Sequence, residues 1–180
     1  MEKEKRFDNA LYGVSPKIRN VLEKLPERVK ESTEEIRLRA GLPVALTVGG
    51  DTVFVLENGQ ISFCLTRGLL KAGTAELAES FKLLCKSSVY AHTEELKNGY
   101  IGLRGGNRAG VCGTLNENGN MSDISSVNIR IAHEIPGAAN DIARAYKPGG
   151  LLIAGPPGSG KTTVLRDLIR QLAGGVCGKI

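Results

Sequence analysis

The sequence has no tryptophan and few other aromatic residues, with four tyrosines and four phenylalanines among 180 residues. A hydrophobic core must therefore be built from leucine, isoleucine, valine and alanine. Proteins that bind single-stranded nucleic acid stack the bases on aromatic side chains. The net charge of +5 is mild, and the basic residues form no long block. We therefore expect no specific binding of nucleic acid.

The sequence also lacks the patterns of a zinc site, a disulfide scaffold and a membrane span. Its four cysteines, at positions 64, 85, 112 and 177, include no C-x-x-C pair and no histidine at zinc spacing. No run of 18 apolar residues occurs, and the charged N-terminus leads into no apolar signal segment. These absences predict a cytoplasmic protein with reduced thiols, whose association with a membrane would be peripheral.

Alternating side chains early in the chain predict an antiparallel sheet. Ile36 and Leu38 alternate with Arg37 and Arg39, which is the period of a half-buried strand. Glycine-rich turns and the hairpin signal at residues 58–59 separate the apolar runs that follow. We expect strands within residues 34–40, 44–48, 52–56 and 61–65, followed by a hairpin of 100–103 with 109–115 and a strand at 127–131.

Helical spacing predicts four longer helices around these strands. Ser15 and Pro16 match an N-cap and first helical position, and Thr74 is a second N-cap candidate. A short helical turn is also expected near residues 94–97. The four helices are predicted at residues 15–25, 74–86, 136–146 and 162–172, with a Pro/Gly-rich break at 147–150.

A glycine-rich segment near the end matches G-x-x-x-x-G-K-[ST] in full. An apolar run at residues 151–154 predicts a buried strand before it, and a helix is predicted after it, which is the context that this motif requires. A glycine-rich turn that binds nothing is the alternative interpretation. The residues predicted to bind a nucleoside triphosphate are Gly155, Pro156, Pro157, Gly158, Ser159, Gly160, Lys161, Thr162 and Thr163.

Each residue type in this segment suits the binding of phosphate. Glycines allow the backbone N–H groups to turn inward around anionic oxygens, and the N-terminus of the following helix adds positive potential. Lys161 would bring a full charge to the β- and γ-phosphates, and the Thr162 hydroxyl would ligate Mg²⁺. We therefore expect ATP and Mg²⁺ as cofactors, with Lys161 and Thr162 as the catalytic residues of this chain.

Four segments together resemble the stage III sporulation protein AA family. They are residues 151–167 around the glycine-rich loop, residues 35–44, residues 99–110 and residues 126–132. The resemblance covers nearly the whole chain from about residue 15. It implies the ATPase of the channel between mother cell and forespore, similar to type II and type IV secretion and type IV pilus motors.

The resemblance also implies an architecture and a cellular setting. The fold would be α/β, with an N-terminal α+β domain at residues 1–135, a linker and helix at 136–149, and an incomplete RecA-like P-loop domain at 150–180. Six copies would form a ring at the cytoplasmic face of the mother-cell membrane and contact membrane proteins of the channel. The family's acidic Walker B and glutamate residues would lie beyond residue 180.

Three arginines occupy positions similar to those that reach the nucleotide phosphates in secretion motors, namely Arg104, Arg108 and Arg130. A guanidinium stays charged and can donate to two phosphate oxygens at once. The alternative is that these arginines are solvated on the surface, or that Arg130 pairs with a carboxylate such as Glu134.

The last residues of the sequence limit what this chain is expected to do alone. Only 19 residues follow Lys161, whereas a parallel β/α core needs several more strands. We therefore expect a fragment that hydrolyses ATP negligibly by itself. Two other hypotheses remain: an ATP-dependent nucleic-acid protein of RecA or helicase type, and an interaction module at residues 1–135 that docks a membrane partner.

Overall fold

The computed structural model describes residues 4–85, 99–115, 121–132, 137–147, 149–156 and 158–174. The chain divides into two compact units, Met1–Ala132 and His133–Ile180. The short helical turn expected near residues 94–97 lies outside the described residues. Among the described residues, no helix combines the length and apolar character that crossing a bilayer requires.

One antiparallel sheet forms the centre of the first unit. The order of its seven described strands is β4-β3-β2-β1-β7-β6-β5, and every pair of neighbours is antiparallel. The mixed α/β fold with an antiparallel sheet that the sequence predicts is therefore confirmed. The strands are β1 (Thr33–Arg39), β2 (Ala45–Val48), β3 (Asp51–Val55), β4 (Ile61–Ser62), β5 (Ile101–Gly102), β6 (Arg108–Leu115) and β7 (Met121–Arg130).

The first four strands form the expected meander, joined by the expected turns. Gly49 and Gly50, with φ values of 59° and 88°, connect β2 to β3. Such values are unstrained only for residues without a Cβ. The Asn58 side chain accepts a hydrogen bond from the Gln60 backbone N–H at 3.0 Å and closes the next turn. β4 contains only Ile61–Ser62 and is shorter than expected.

The strand that connects the two halves of the sheet is β7. It begins at Met121, six residues before the alternating pattern that predicts it, and it pairs with both β1 and β6. Ile129 lies opposite Ile36 on one side and Ala109 on the other, and all three side chains are fully buried. Apolar contact across three strands therefore holds the meander and the second hairpin in one sheet.

Four helices are described beside the sheet in the first unit: α1 (Glu4–Leu11), α2 (Pro16–Leu22), α3 (Glu27–Ser32) and α4 (Thr74–Leu84). The sequence predicts α2 and α4 but not α1, whose buried Phe7, Ala10 and Leu11 follow the 3–4 spacing of an amphipathic helix. These residues belong to one core cluster with the inner side of the sheet. The opposite side of the sheet carries charged residues of β1, namely Glu35, Arg37 and Arg39.

The helix starts differ from prediction in detail. Ser15 is at the N-cap position of α2, but its side chain makes no capping bond. Its backbone N–H instead donates to the Ser80 hydroxyl of α4 at 2.9 Å. Helix α4 is capped by Gly73, one residue before the predicted Thr74, and the Glu76 carboxylate accepts the Gly73 N–H at 2.9 Å.

Two helices are described in the second unit, α5 (Asn140–Ala145) and α6 (Lys161–Ala173). Helix α6 agrees with prediction within a residue at each end, whereas α5 is shorter than expected. The strand predicted at residues 151–154 is wrong for this structure. A strand requires hydrogen bonds to a neighbour, and no other strand occurs among the described residues of this unit.

Candidate functional site

The glycine-rich loop leads directly into α6. Gly158 and Gly160 have φ values of 77° and 82°, which lie in the left-handed region that other residues rarely adopt. Gly160 is also the N-cap residue of α6, and its carbonyl accepts the Val164 N–H at 2.9 Å. The glycines of the motif therefore let the chain turn sharply into the helix whose N-terminus follows.

The Lys161 side chain lies over this loop. Its ammonium donates to the carbonyl oxygens of Gly155 at 2.8 Å and Pro156 at 2.6 Å. Thr162 is exposed and Thr163 half-buried in the first turn of α6. The motif thus brings its lysine, its hydroxyls and the helix N-terminus to one place. Pro157 lies outside the described residues.

Gly155 packs closely against Ser159 across the loop. A Cβ at this position would come within 2.8 Å of the Ser159 hydroxyl. The Ser159 N–H also donates to the Pro156 carbonyl at 3.3 Å. A side chain at position 155 would therefore force the Ser159 hydroxyl to move.

A buried carboxylate outside the glycine-rich motif, Asp167, lies on the same helix, α6. Asp167 is 5% exposed and accepts the Ala139 backbone N–H at 2.9 Å, just before α5. It also accepts hydrogen bonds from Arg170 and Gln171. The Ala139 N–H, followed by the Arg170 guanidinium, outweighs burial and lowers the pKa of Asp167 to about 2.

This carboxylate joins the helix of the lysine to the preceding helix. Gln171 donates both to Asp167 and to the Asn140 side chain, at 2.8 and 3.0 Å. The i, i+3 and i, i+4 spacing of Asp167 with Arg170 and Gln171 was the available signal in the sequence. The Ala139 N–H just before α5 could not be recognised as a partner, because 28 residues separate it from Asp167.

The apolar face of α6 is narrower than predicted. Leu168 is buried against Ala139 and Ala143, with Val164 and Leu172 packed alongside. Helical spacing in the sequence also predicts Leu165 and Ile169 on this inner face, but they are 46% and 57% exposed. Positions 164, 168 and 172 repeat every four residues and face α5, whereas the other two are rotated by about 100° around the helix.

Two of the three candidate arginines face each other in the first unit. Arg108 on β6 is the register partner of Arg130 on β7, and Arg130 is in turn the register partner of Glu35 on β1. The Arg130 side chain is 78% exposed, with its Nε 3.5 Å from the Glu35 carboxylate. Arg130 thus pairs with a carboxylate across the sheet, and the predicted alternative Glu134 lies outside the described residues.

Glu35 is held as a carboxylate by several donors. Burial acts to raise the pKa of Glu35, but hydrogen bonds from Arg37, Asn128 and Arg130 outweigh it and lower the pKa below its ordinary value. The distances are 2.8 Å from Arg37 Nε and 3.0 Å from the Asn128 amide. This carboxylate therefore orients Arg37 and attracts Arg130 on the outer side of the sheet.

Arg104 and Arg108 lie beside the β5–β6 turn. The Arg108 guanidinium is 4.8 Å from the centre of the Tyr100 ring, close enough for a cation–π contact. Arg104 is exposed in the short 3₁₀ turn Arg104–Gly106. Asn107, at the end of that turn, is buried and donates its side-chain amide to the Arg6 carbonyl at 2.8 Å.

A family model described as sporulation stage III, protein AA matches residues 1–178. The chain belongs to this family. A curated relative, stage III sporulation protein AA of Bacillus subtilis (strain 168), is 39% identical over 171 residues. The match covers 90% of this chain and 51% of the relative, so the chain spans about half the length of that member of the stage III protein AA family.

Two solved structures are similar to this chain, at lower sequence identity than the curated relative. The Legionella pneumophila ATPase DotB is 18% identical, with a TM-score of 0.47, and the match covers 86% of this chain and 41% of DotB. The pilus retraction motor PilT, solved with bound ADP, is 23% identical, with a TM-score of 0.42, and the match covers 81% and 41% of the two chains.

Proposed function

We propose that this chain binds Mg-ATP through residues 155–163 and that the whole protein hydrolyses ATP. The observation that carries the proposal is the position of Lys161, whose ammonium lies over a loop of two left-handed glycines at the start of α6. Helix N-termini and glycine-rich loops present N–H groups to phosphate oxygens. The residues present therefore fit a triphosphate.

The chemistry of the site follows from these groups. Lys161 can exchange its two carbonyl acceptors for the more strongly charged oxygens of a phosphate. The exposed Thr162 hydroxyl at the start of α6 would ligate Mg²⁺, which neutralises phosphate charge when bound. This chain's own contribution is to bind and orient the triphosphate. The residues that activate water would belong to the remaining part of the protein.

The proposal extends to the assembly in which the site operates. We place the whole protein in a hexameric ring at the cytoplasmic face of the mother-cell membrane, where it energises the mother cell–forespore channel during sporulation. Membership of the sporulation stage III protein AA family supports the setting. The ring and its membrane partners rest on the resemblance to secretion motors.

Calorimetry with Mg-ATP tests the binding step. Lys161→Ala should weaken affinity about 100-fold, because the variant loses charge-assisted hydrogen bonds worth roughly 3 kcal/mol in total. Lys147→Ala, which removes an exposed lysine of the same unit, is the matched control and should bind as the unaltered chain does. Unchanged affinity in a folded Lys161→Ala variant would refute the proposed site.

Arg104, Arg108 and Arg130 are proposed to reach nucleotide phosphates within the ring. Arg108 and Arg130 are exposed and lie on adjacent strands, where two guanidinium groups can approach one anion. Neutralising either to Gln in the whole protein should raise the KM for ATP or lower kcat by about tenfold. If the KM and kcat of the variants match those of the unaltered ring, these arginines do not contact the nucleotide.

A further inference from the structure

We infer that a groove that runs from the outer side of strands β1–β3 over residues 65–71 is a docking site for an acidic, leucine-bearing segment of a partner protein. The groove is centred on Leu42, Pro43 and Leu65, which line two adjoining concavities of about 300 and 690 Å³. Neither concavity includes a residue of the glycine-rich loop. The inference therefore goes beyond the proposed function and does not depend on nucleotide binding.

The apolar part of this docking groove is exposed. Leu42 is 49% and Leu65 71% accessible to solvent. Phe54 of β3 and Ala45 of β2 extend the smaller concavity along the sheet, and both are half-buried. Concave apolar surface of this size suits the burial of a partner's side chains.

The charged part of the docking groove has more cations than carboxylates. Five cations and one carboxylate line the two concavities: Lys17, Arg37, Arg39, Arg67, Lys71 and Glu57. Two of the cations have carboxylate partners on this chain, Glu76 for Lys17 and Glu35 for Arg37, each at 2.8 Å. With these partners included, five cations face three carboxylates. The groove therefore complements an acidic partner.

Arg37 and Arg39 place two neighbouring guanidinium groups in the docking groove. They are two residues apart on β1 and so point to the same side of the sheet. Arg37 is held in place, because its guanidinium donates to Glu35 at 2.8 Å and to the Thr47 hydroxyl at 2.7 Å. Arg39 is exposed. A fixed and an accessible guanidinium side by side favour a chain with successive carboxylates.

The concave shape favours a protein segment over a lipid bilayer. The largest exposed ring nearby, Phe63, is 73% accessible and lines neither concavity. A membrane-binding surface would use such a projecting aromatic side chain together with surrounding cations. A peptide in the groove would use Leu65 and Arg39 and leave Phe63 in solvent. The two modes therefore differ in the residues that they require.

Fluorescence anisotropy with the whole chain tests the inference. The probe is a short fluorescein-labelled peptide in which glutamate and leucine alternate, and a lysine–leucine peptide is the control probe. We expect the acidic peptide to bind and the lysine–leucine peptide not to bind. Arg39→Ala and Leu65→Ser should each raise the Kd about tenfold, because each removes a central contact. Raising the salt concentration should weaken binding, since the charges lie at the surface.

Two matched variants and a vesicle assay distinguish the alternatives. Arg28→Ala removes an exposed arginine of α3, and Phe63→Ser removes the projecting ring. Both should leave peptide binding unchanged. An equal loss in Arg28→Ala would overturn the inference by showing general attraction to surface charge. Binding to phosphatidylglycerol vesicles that requires Phe63, without binding of the acidic peptide, would overturn it in favour of a membrane surface.

Discussion

At the scale of single residues, Asp167 of α6 accepts the N–H of Ala139, the N-cap residue of α5. Its carboxylate accepts four hydrogen bonds, from the Ala139 N–H, from two nitrogens of Arg170 and from Gln171. Because Asp167 lies on the helix that begins with Lys161, its carboxylate links the helix that follows the glycine-rich loop to the segment before α5. Its negative charge should therefore contribute to the stability of the second unit.

The titration of Asp167 gives a prediction about stability and pH. Its pKa falls from 3.8 to about 2 in the folded chain, so its contribution to stability is present above about pH 4 and is lost as the pH falls towards 2. Asp167→Asn should lower the Tm at pH 7, and the difference from the unaltered chain should shrink between pH 4 and pH 2.

Thermal unfolding followed by circular dichroism across this pH range measures the effect. Asp141→Asn is the matched control, because the Asp141 side chain is 98% exposed and 3.7 Å from an exposed Arg144. Exposed pairs of this kind contribute little to stability. A Tm difference for Asp167→Asn that stays constant from pH 7 to pH 2 would contradict the assigned role of its charge.

At the scale of elements, β7 decides whether the first unit has one sheet or two. It is the strand between the meander and the second hairpin, and it pairs with β1 over residues Glu35–Arg39 and with β6 over most of its length. Its inner residues Val127 and Ile129 are buried in the common core. Burial on this strand should therefore stabilise the whole unit.

Ile129→Ala tests this role of β7. The variant leaves a cavity between Ile36 and Ala109 and should lower the free energy of unfolding by about 2–5 kcal/mol. Thr52→Ala, at an exposed position of β3, is the control and should change that free energy by less than about 1 kcal/mol. Chemical denaturation of both variants measures the contrast, and equal losses would contradict the central place of β7.

At the scale of the whole molecule, burial is divided unequally between the two units. The larger core cluster runs from Phe7 to Ile131 and lies within the first unit. The cluster described in the second unit has three buried residues, Ala139, Ala143 and Leu168. The described core of this unit therefore offers little apolar burial to offset the loss of chain entropy.

Truncation after Ala132 tests this division. The fragment Met1–Ala132 keeps the whole larger cluster, so we expect a cooperative urea transition with a midpoint close to that of the whole chain. The complementary fragment His133–Ile180 should show no cooperative transition. A first-unit fragment that unfolds gradually would show that its core depends on the second unit.

The sequence by itself determined the features that depend on near neighbours. The meander follows from alternation and glycine turns, α2, α4 and α6 follow from helical spacing, and the glycine-rich loop follows from its motif. In each case the interacting atoms are a few residues apart, so the pattern of residue types contains the physical cause.

The tertiary structure alone decided the contacts between distant segments. β1 pairs with β7, Arg130 meets Glu35, and Asp167 caps the segment at Ala139. The same reason explains why the prediction of a strand at residues 151–154 is wrong and why Leu165 is exposed. An apolar run indicates that residues tend to be buried, but it does not specify the neighbour that buries them. Register and partner are set by which buried surfaces meet in the folded chain, and the order of residue types does not encode that locally.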